Sequence, residues 1–135
     1  MKEINVLLLL TPKTELACLC DDMSVRQAIE KIKAHGYMAI PVISKSGEYI
    51  GTITEGDLLW ALVDEDSDLE SLEDVCIKDI IRKDYTPAVK VDANAEELAR
   101  MITEQNFVPV VDDRNILMGI VTRKRVLKEL LENEA

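Results

Sequence analysis

Aromatic residues are scarce in this 135-residue chain, with one Phe, one Trp and three Tyr. Apolar residues nevertheless make up 47% of it, so the core must rest on Leu, Ile and Val, as it does where helices pack on strands. The expected class is therefore α/β or α+β. Cysteine is also sparse. Cys18, Cys20 and Cys76 are an odd set without the paired C-x-x-C spacing of zinc sites, and the single histidine, His35, adds no ligand pattern. Reduced, mostly buried thiols of a reducing compartment are expected, with no metal site. No long apolar run is present: Val6 to Leu10 is cut short by Thr11-Pro12-Lys13-Thr14-Glu15, too soon for a signal core or a membrane span. This reading expects a cytoplasmic protein with no membrane association. The sequence also lacks a phosphate-cradling glycine loop, an H-E-x-x-H and any Ser/His/Asp set, so no catalytic residues and no required cofactor are expected.

Positive charge is short as well. Sixteen Lys and Arg stand against 26 Asp and Glu, a formal charge of −10, which repels a nucleic-acid backbone and excludes that partner class. The excess is local, because residues 64–74 hold seven acids and no base. The remaining 16 bases and 19 acids leave room for a small basic pocket that takes an anionic ligand.

What the chain does have is an internal repeat. Ile40-Pro41-Val42-Ile43 recurs as Val108-Pro109-Val110-Val111, and Gly51-Thr52-Ile53-Thr54 as Gly119-Ile120-Val121-Thr122, both 68 positions later. Leu58, Leu59, Leu62 and Val63 match Val126, Leu127, Leu130 and Leu131 at the same offset, one apolar stripe along a helix. Upstream, Val25, Ala28, Ile29 and Ile32 match Ala95, Leu98, Ala99 and Ile102 at an offset of 70, so the second copy has lost two residues between its first helix and its strand. Ser24 with Gln27 and Asn94 with Glu97 have N-cap spacing. Pro41 and Pro109 predict short strands with proline near an edge or an end. Each copy reads as helix, strand, turn, strand, helix. Residues 1–63 form the first repeat, 64–79 an acidic, solvated connection with a helical turn near Val75 to Ile81, and 80–135 the second repeat.

The two copies resemble the CBS domain family, which is recognised by a helix, a strand ending in h-P-V, a turn, a G-h-h-[TS]-x-x-D segment and a second helix. Gly36-Tyr37-Met38-Ala39-Ile40-Pro41-Val42 and Gly51-Thr52-Ile53-Thr54-Glu55-Gly56-Asp57 carry the likeness in full. The resemblance implies a Bateman module whose repeats pair about a pseudo-two-fold axis, with two clefts that hold an adenine-containing nucleotide. AMP, ADP, ATP and cyclic di-AMP are the expected ligands, and a homodimer with an unidentified effector protein the expected assembly. Gly36 to Pro41 and Thr122-Arg123-Lys124 also resemble small stand-alone bacterial CBS proteins that bind cyclic di-AMP.

In that family the Asp of T-x-x-D binds the ribose hydroxyls, a role that falls here on Asp57 with Thr54 beside it. A carboxylate presents two acceptors to a vicinal diol, and the helix start behind it favours phosphate. The same two residues also have the spacing of a helix cap and its partner, and both roles can hold at once. By the resemblance, Tyr85, Thr86, Pro87, Phe107 and Val108 line this cleft. In the second copy Thr122 is kept, but Arg125 replaces the Asp, preceded by Arg123. Arginine accepts nothing from a ribose but grips a phosphate, so this cleft, lined by Ala17, Tyr37, Met38, Ala39 and Ile40, would prefer phosphate-rich ligands. Alternatively the arginines form a solvated face paired with Glu129 and Glu132. Tyr37 and Phe107 either stack on a base or fill the core. A ligand-free dimerisation or protein-interaction module is the other functional reading of the fold.

Overall fold

Each copy starts its first helix at a polar cap. Ser24 and Gln27 form a full capping box: the Ser24 hydroxyl accepts from the Gln27 amide, and the Gln27 side chain accepts from the Ser24 amide. Asn94 accepts from the amide of Glu97 at 2.8 Å. The computed structural model of the chain describes residues 5–36, 38–64, 70–82 and 86–133. Among them are five α-helices, α1 (Val6–Leu9), α2 (Val25–His35), α3 (Glu55–Asp64), α4 (Ala95–Glu104) and α5 (Arg123–Asn133). Seven strands accompany them: β1 (Thr11–Pro12), β2 (Leu19–Cys20), β3 (Ala39–Ile43), β4 (Tyr49–Thr54), β5 (Val89–Lys90), β6 (Phe107–Val111) and β7 (Leu117–Thr122). Helix, strand, strand, helix recurs twice, as the spacing requires, and the class is mixed α/β.

Two compact units result, Ala17–Tyr85 and Met1–Leu16 joined by Thr86–Ala135. In the continuous unit the sheet order is β2-β3-β4, and Leu19, Val25, Ala28, Ile40, Val42 and Ile53 form the heart of its core. In the other the order is β1-β7-β6-β5, over a core of Leu98, Val108, Val110, Val121 and Val126. Val6 and Leu9 of α1 belong to this second core, so residues assigned by sequence to the first repeat pack with the second.

The repeats agree in detail. The β3–β4 pairing slips at Val42/Ile43 and the β6–β7 pairing at Val110/Val111. The intervening turns use Gly47 (φ 90°) and Asn115 (φ 65°), two residue types suited to the left-handed region. They differ where the second copy is shorter: α2 is closed by Gly36 at φ 69°, whereas Gln105 leaves α4 already extended at φ −127°. Both prolines lie inside a central strand rather than at a sheet edge. This is tolerated because β2 pairs only with Val42 and Ile43, and β5 only with Val110 and Val111, so neither short parallel neighbour reaches the proline.

Residues 65–69 of the acidic stretch lie outside the described residues, and the part from 70 onward is less solvated than its charge predicts. Ser71–Asp74 and Ile77–Asp79 are 3₁₀ turns whose Leu72 and Ile77 are wholly buried in the core of the continuous unit. Arg26 of α2 also pairs with Glu73 at 2.8 Å. The three cysteines are half-buried rather than mostly buried, and no disulfide links the described residues.

Candidate functional site

Thr54 ends β4 and α3 begins at the next residue, so the T-x-x-D segment turns a strand directly into a helix. The Thr54 hydroxyl accepts from the Asp57 amide at 3.1 Å, and Oδ2 of the Asp57 carboxylate accepts in turn from the Thr54 amide at 2.9 Å. This reciprocal cap is the local role that the spacing allows. Oδ1 has a different partner, the Nε of Arg82 at 2.7 Å. The Asp57 side chain is 7% exposed and that of Arg82 48%, so a buried carboxylate meets a guanidinium that reaches solvent. Thr54, Asp57, Trp60, Ala61, Ile80 and Arg82 line a cavity of about 650 Å³ in this unit.

The wall read from Gly36 to Pro41 meets the same corner. Ala39 lies opposite Thr54 and Ile40 opposite Ile53, and the Glu55 amide donates to the Met38 carbonyl at 3.0 Å. Met38 is exposed and Ala39 half-buried, whereas Ile40 is wholly buried and serves the core. Ala17 packs against that core from its rim. Tyr37 and Tyr85 lie outside the described residues.

A matching corner forms in the other unit. Phe107 lies opposite Thr122 and Val108 opposite Val121, and the Arg123 amide donates to the Asn106 carbonyl at 2.9 Å. Gln105 Nε2 donates to the carbonyls of Pro87 and Phe107, at 3.3 and 3.1 Å, tying the lead-in to the strand. Thr86 and Phe107 are half-buried, Pro87 is exposed and Val108 is wholly buried.

The helix start differs as Arg125 requires. Thr122 still accepts from the residue-125 amide, at 3.1 Å, but arginine has no acceptor for the return bond. Its guanidinium instead meets Glu129 at 3.3 Å, one turn along α5, the ion pair anticipated for a solvated face. Arg123 is turned to structure: Nε donates to the Ile102 carbonyl at 2.9 Å and Nη2 to that of Thr103 at 3.5 Å. A cation on the last carbonyls of α4 completes that helix end.

Trp60, Ala61, Ile80 and Arg82 of the Asp57 corner escaped the sequence reading. Trp60 stands three positions after Asp57 and so shares its helix face, a spacing that points to it. Arg82 lies beyond the acidic connection, and no local pattern links it to Asp57. Elsewhere, Cys20, Asp21 and Asp22 bring ligand atoms within 4.8 Å of one another. Burial, then the Asp22 carboxylate, push the Cys20 thiol above its ordinary value, which disfavours the thiolate a metal would need.

The sequence profile of the CBS domain matches residues 6–64 and 72–132. Listeria monocytogenes CbpB, solved in complex with c-di-AMP, superposes with a TM-score of 0.86 at 25% identity, over 96% of this chain and 97% of that one. CBSX2 in complex with AMP gives 0.78 at 27% identity, over 97% and 98%. An uncharacterised protein of Methanocaldococcus jannaschii is 32% identical over 113 residues, which is 82% of this chain and 39% of the relative. The chain spans less than half the length of the first curated relatives it matches. With both repeats matched and the fold shared along nearly its whole length, the chain belongs to the CBS domain family, as a tandem pair of CBS repeats.

Proposed function

We propose that this chain is a regulatory sensor module that binds an adenine-containing nucleotide, AMP, ADP, ATP or cyclic di-AMP, and passes the bound state to a partner protein. The observation that carries the reading is Asp57, a buried carboxylate at a helix start lining a cavity of about 650 Å³. Such a group accepts from a ribose diol, while the positive end of α3 suits an anion nearby. CbpB and CBSX2, solved with c-di-AMP and AMP, support the ligand class. The corner at Thr122 and Arg125 is our candidate for phosphate-rich ligands, since a guanidinium grips a phosphate but accepts nothing from a ribose. Binding is the whole task, so signalling requires the nucleotide to favour one conformation or complex over another.

Thermal melting with millimolar AMP, ATP, NAD, S-adenosylmethionine and cyclic di-AMP tests the reading. A ligand at about 100 times its dissociation constant adds roughly 2.7 kcal/mol and raises the midpoint by several degrees. If none of the five moves the midpoint, the ligand-free interaction module takes this reading's place.

A further inference from the structure

The ion pair at Asp57 bears on how the pocket chooses its ligand. A carboxylate oxygen that would take a ribose hydroxyl is already held by Arg82 Nε at 2.7 Å, so a nucleoside entering there competes with a guanidinium. Arg82 lines the same cavity, its side chain 48% exposed while that of Asp57 is 7% exposed. The partners are thus unequal: the carboxylate is buried and held by its cap bond to the Thr54 amide, whereas the guanidinium reaches solvent. A planar guanidinium binds carboxylate and phosphate through the same two-pronged geometry, so leaving one for the other conserves a charged contact.

Resting on the reading of Asp57 as the ribose ligand, we propose that Arg82 is the specificity residue of this pocket, a latch on Asp57 that only a phosphorylated nucleoside releases by drawing the guanidinium onto its phosphate. An unphosphorylated nucleoside must break the Arg82–Asp57 pair and gives the arginine nothing in return. A nucleoside phosphate exchanges one anionic partner for another. The pocket thereby rejects adenosine although it carries the same base and diol.

Trp60, the chain's single tryptophan, lines this cavity and reports its occupancy by fluorescence. Adenosine and AMP are titrated into the parent, Arg82→Gln and Arg82→Lys, with calorimetry alongside and a cooperative melt of each variant as the folding control. In Arg82→Gln, adenosine binding should tighten about threefold, as expected for release of a partly exposed ion pair. AMP should weaken at least about tenfold, the loss of one charged hydrogen bond. The preference for AMP over adenosine then falls by about thirtyfold, a crossing that damage to the fold would not produce. Arg82→Lys, which keeps the charge but not the fork, should fall between. A parent that binds AMP beside an Arg82→Gln variant with unchanged preference overturns the latch and leaves the nucleotide reading standing. A parent that binds neither compound overturns the latch, and the nucleotide reading falls with it when the five-ligand melting panel is flat as well.

Discussion

Asp57 combines two roles that substitution can separate. Its Oδ2 returns the cap bond to Thr54, a local term, while Oδ1 faces Arg82 and the cavity. Asp57→Ala should therefore cost roughly 1 kcal/mol of stability for the cap, and weaken a ribose-bearing ligand at least about tenfold through loss of a charged hydrogen bond. Paired melts and calorimetry check this, and a ligand constant unmoved by the substitution would remove Asp57 from the binding role. A second residue sets an alkaline limit. The Tyr49 phenol, bonded to Thr52 Oγ1 at 2.8 Å, is pushed up to about 12 by burial against an ordinary value of 10.0. Because its folded value lies above the unfolded one, the neutral phenol's contribution is fully present below pH 10. It is lost as the pH climbs from about 10 to about 12, a fall of roughly 2–3 kcal/mol. Melting curves across that window should flatten in Tyr49→Phe. An equal decline in parent and variant would show that Tyr49 is not the group responsible.

Among the elements, the matched glycines of β4 and β7 are not equally constrained. A Cβ at Gly51 would press on the Ile81 side chain, but one at Gly119 would run into the Thr11 backbone oxygen, because β1 crosses β7 at Pro12. A side chain can turn aside and a paired backbone cannot, so Gly119→Ala should cost more than Gly51→Ala, by about 1–3 kcal/mol. Urea unfolding of the two variants compares them, and equal midpoints would refute the difference. These elements also show what the sequence reveals. The caps at Ser24 and Asn94 and the Thr54/Asp57 box were legible because three-residue chemistry is local. The central place of Pro41 and Pro109 was not, since it depends on the lengths of β2 and β5 beside them. Nor was the Arg82–Asp57 pair, whose partners stand on either side of a connection that Leu72 and Ile77 hold in the core. The basic cluster was legible as charge but not as partners: Arg123 caps α4, and Arg125 meets Glu129.

At the scale of the molecule, α3 and α5 leave apolar surface uncovered. Leu58 and Val126 turn into their own cores, while Leu59, Trp60 and Val63 of α3 and Leu127 and Leu131 of α5 are each more than half exposed. Apolar side chains grouped along helices in this way mark contact surfaces. The homodimer expected from the sequence would bury them, and light scattering at micromolar concentration should then give about 30 kDa, twice the 15.2 kDa of one chain. Leu59→Asp combined with Leu127→Asp should return it to the single-chain mass. A parent that scatters as one chain rules the dimer out.

The packing of α1 and β1 with the second repeat also fixes an order of events on the ribosome. The core residues described in the 17–85 unit lie within one continuous stretch, which can close as soon as it emerges. Val6 and Leu9, made earlier, find their core only after Val108, Val121 and Val126 have been synthesised. This segment is made before the 17–85 unit yet is buried only after strands that follow that unit. Its apolar side chains must wait while the whole 17–85 unit is synthesised, a period in which a chaperone or a neighbouring nascent chain has access to them.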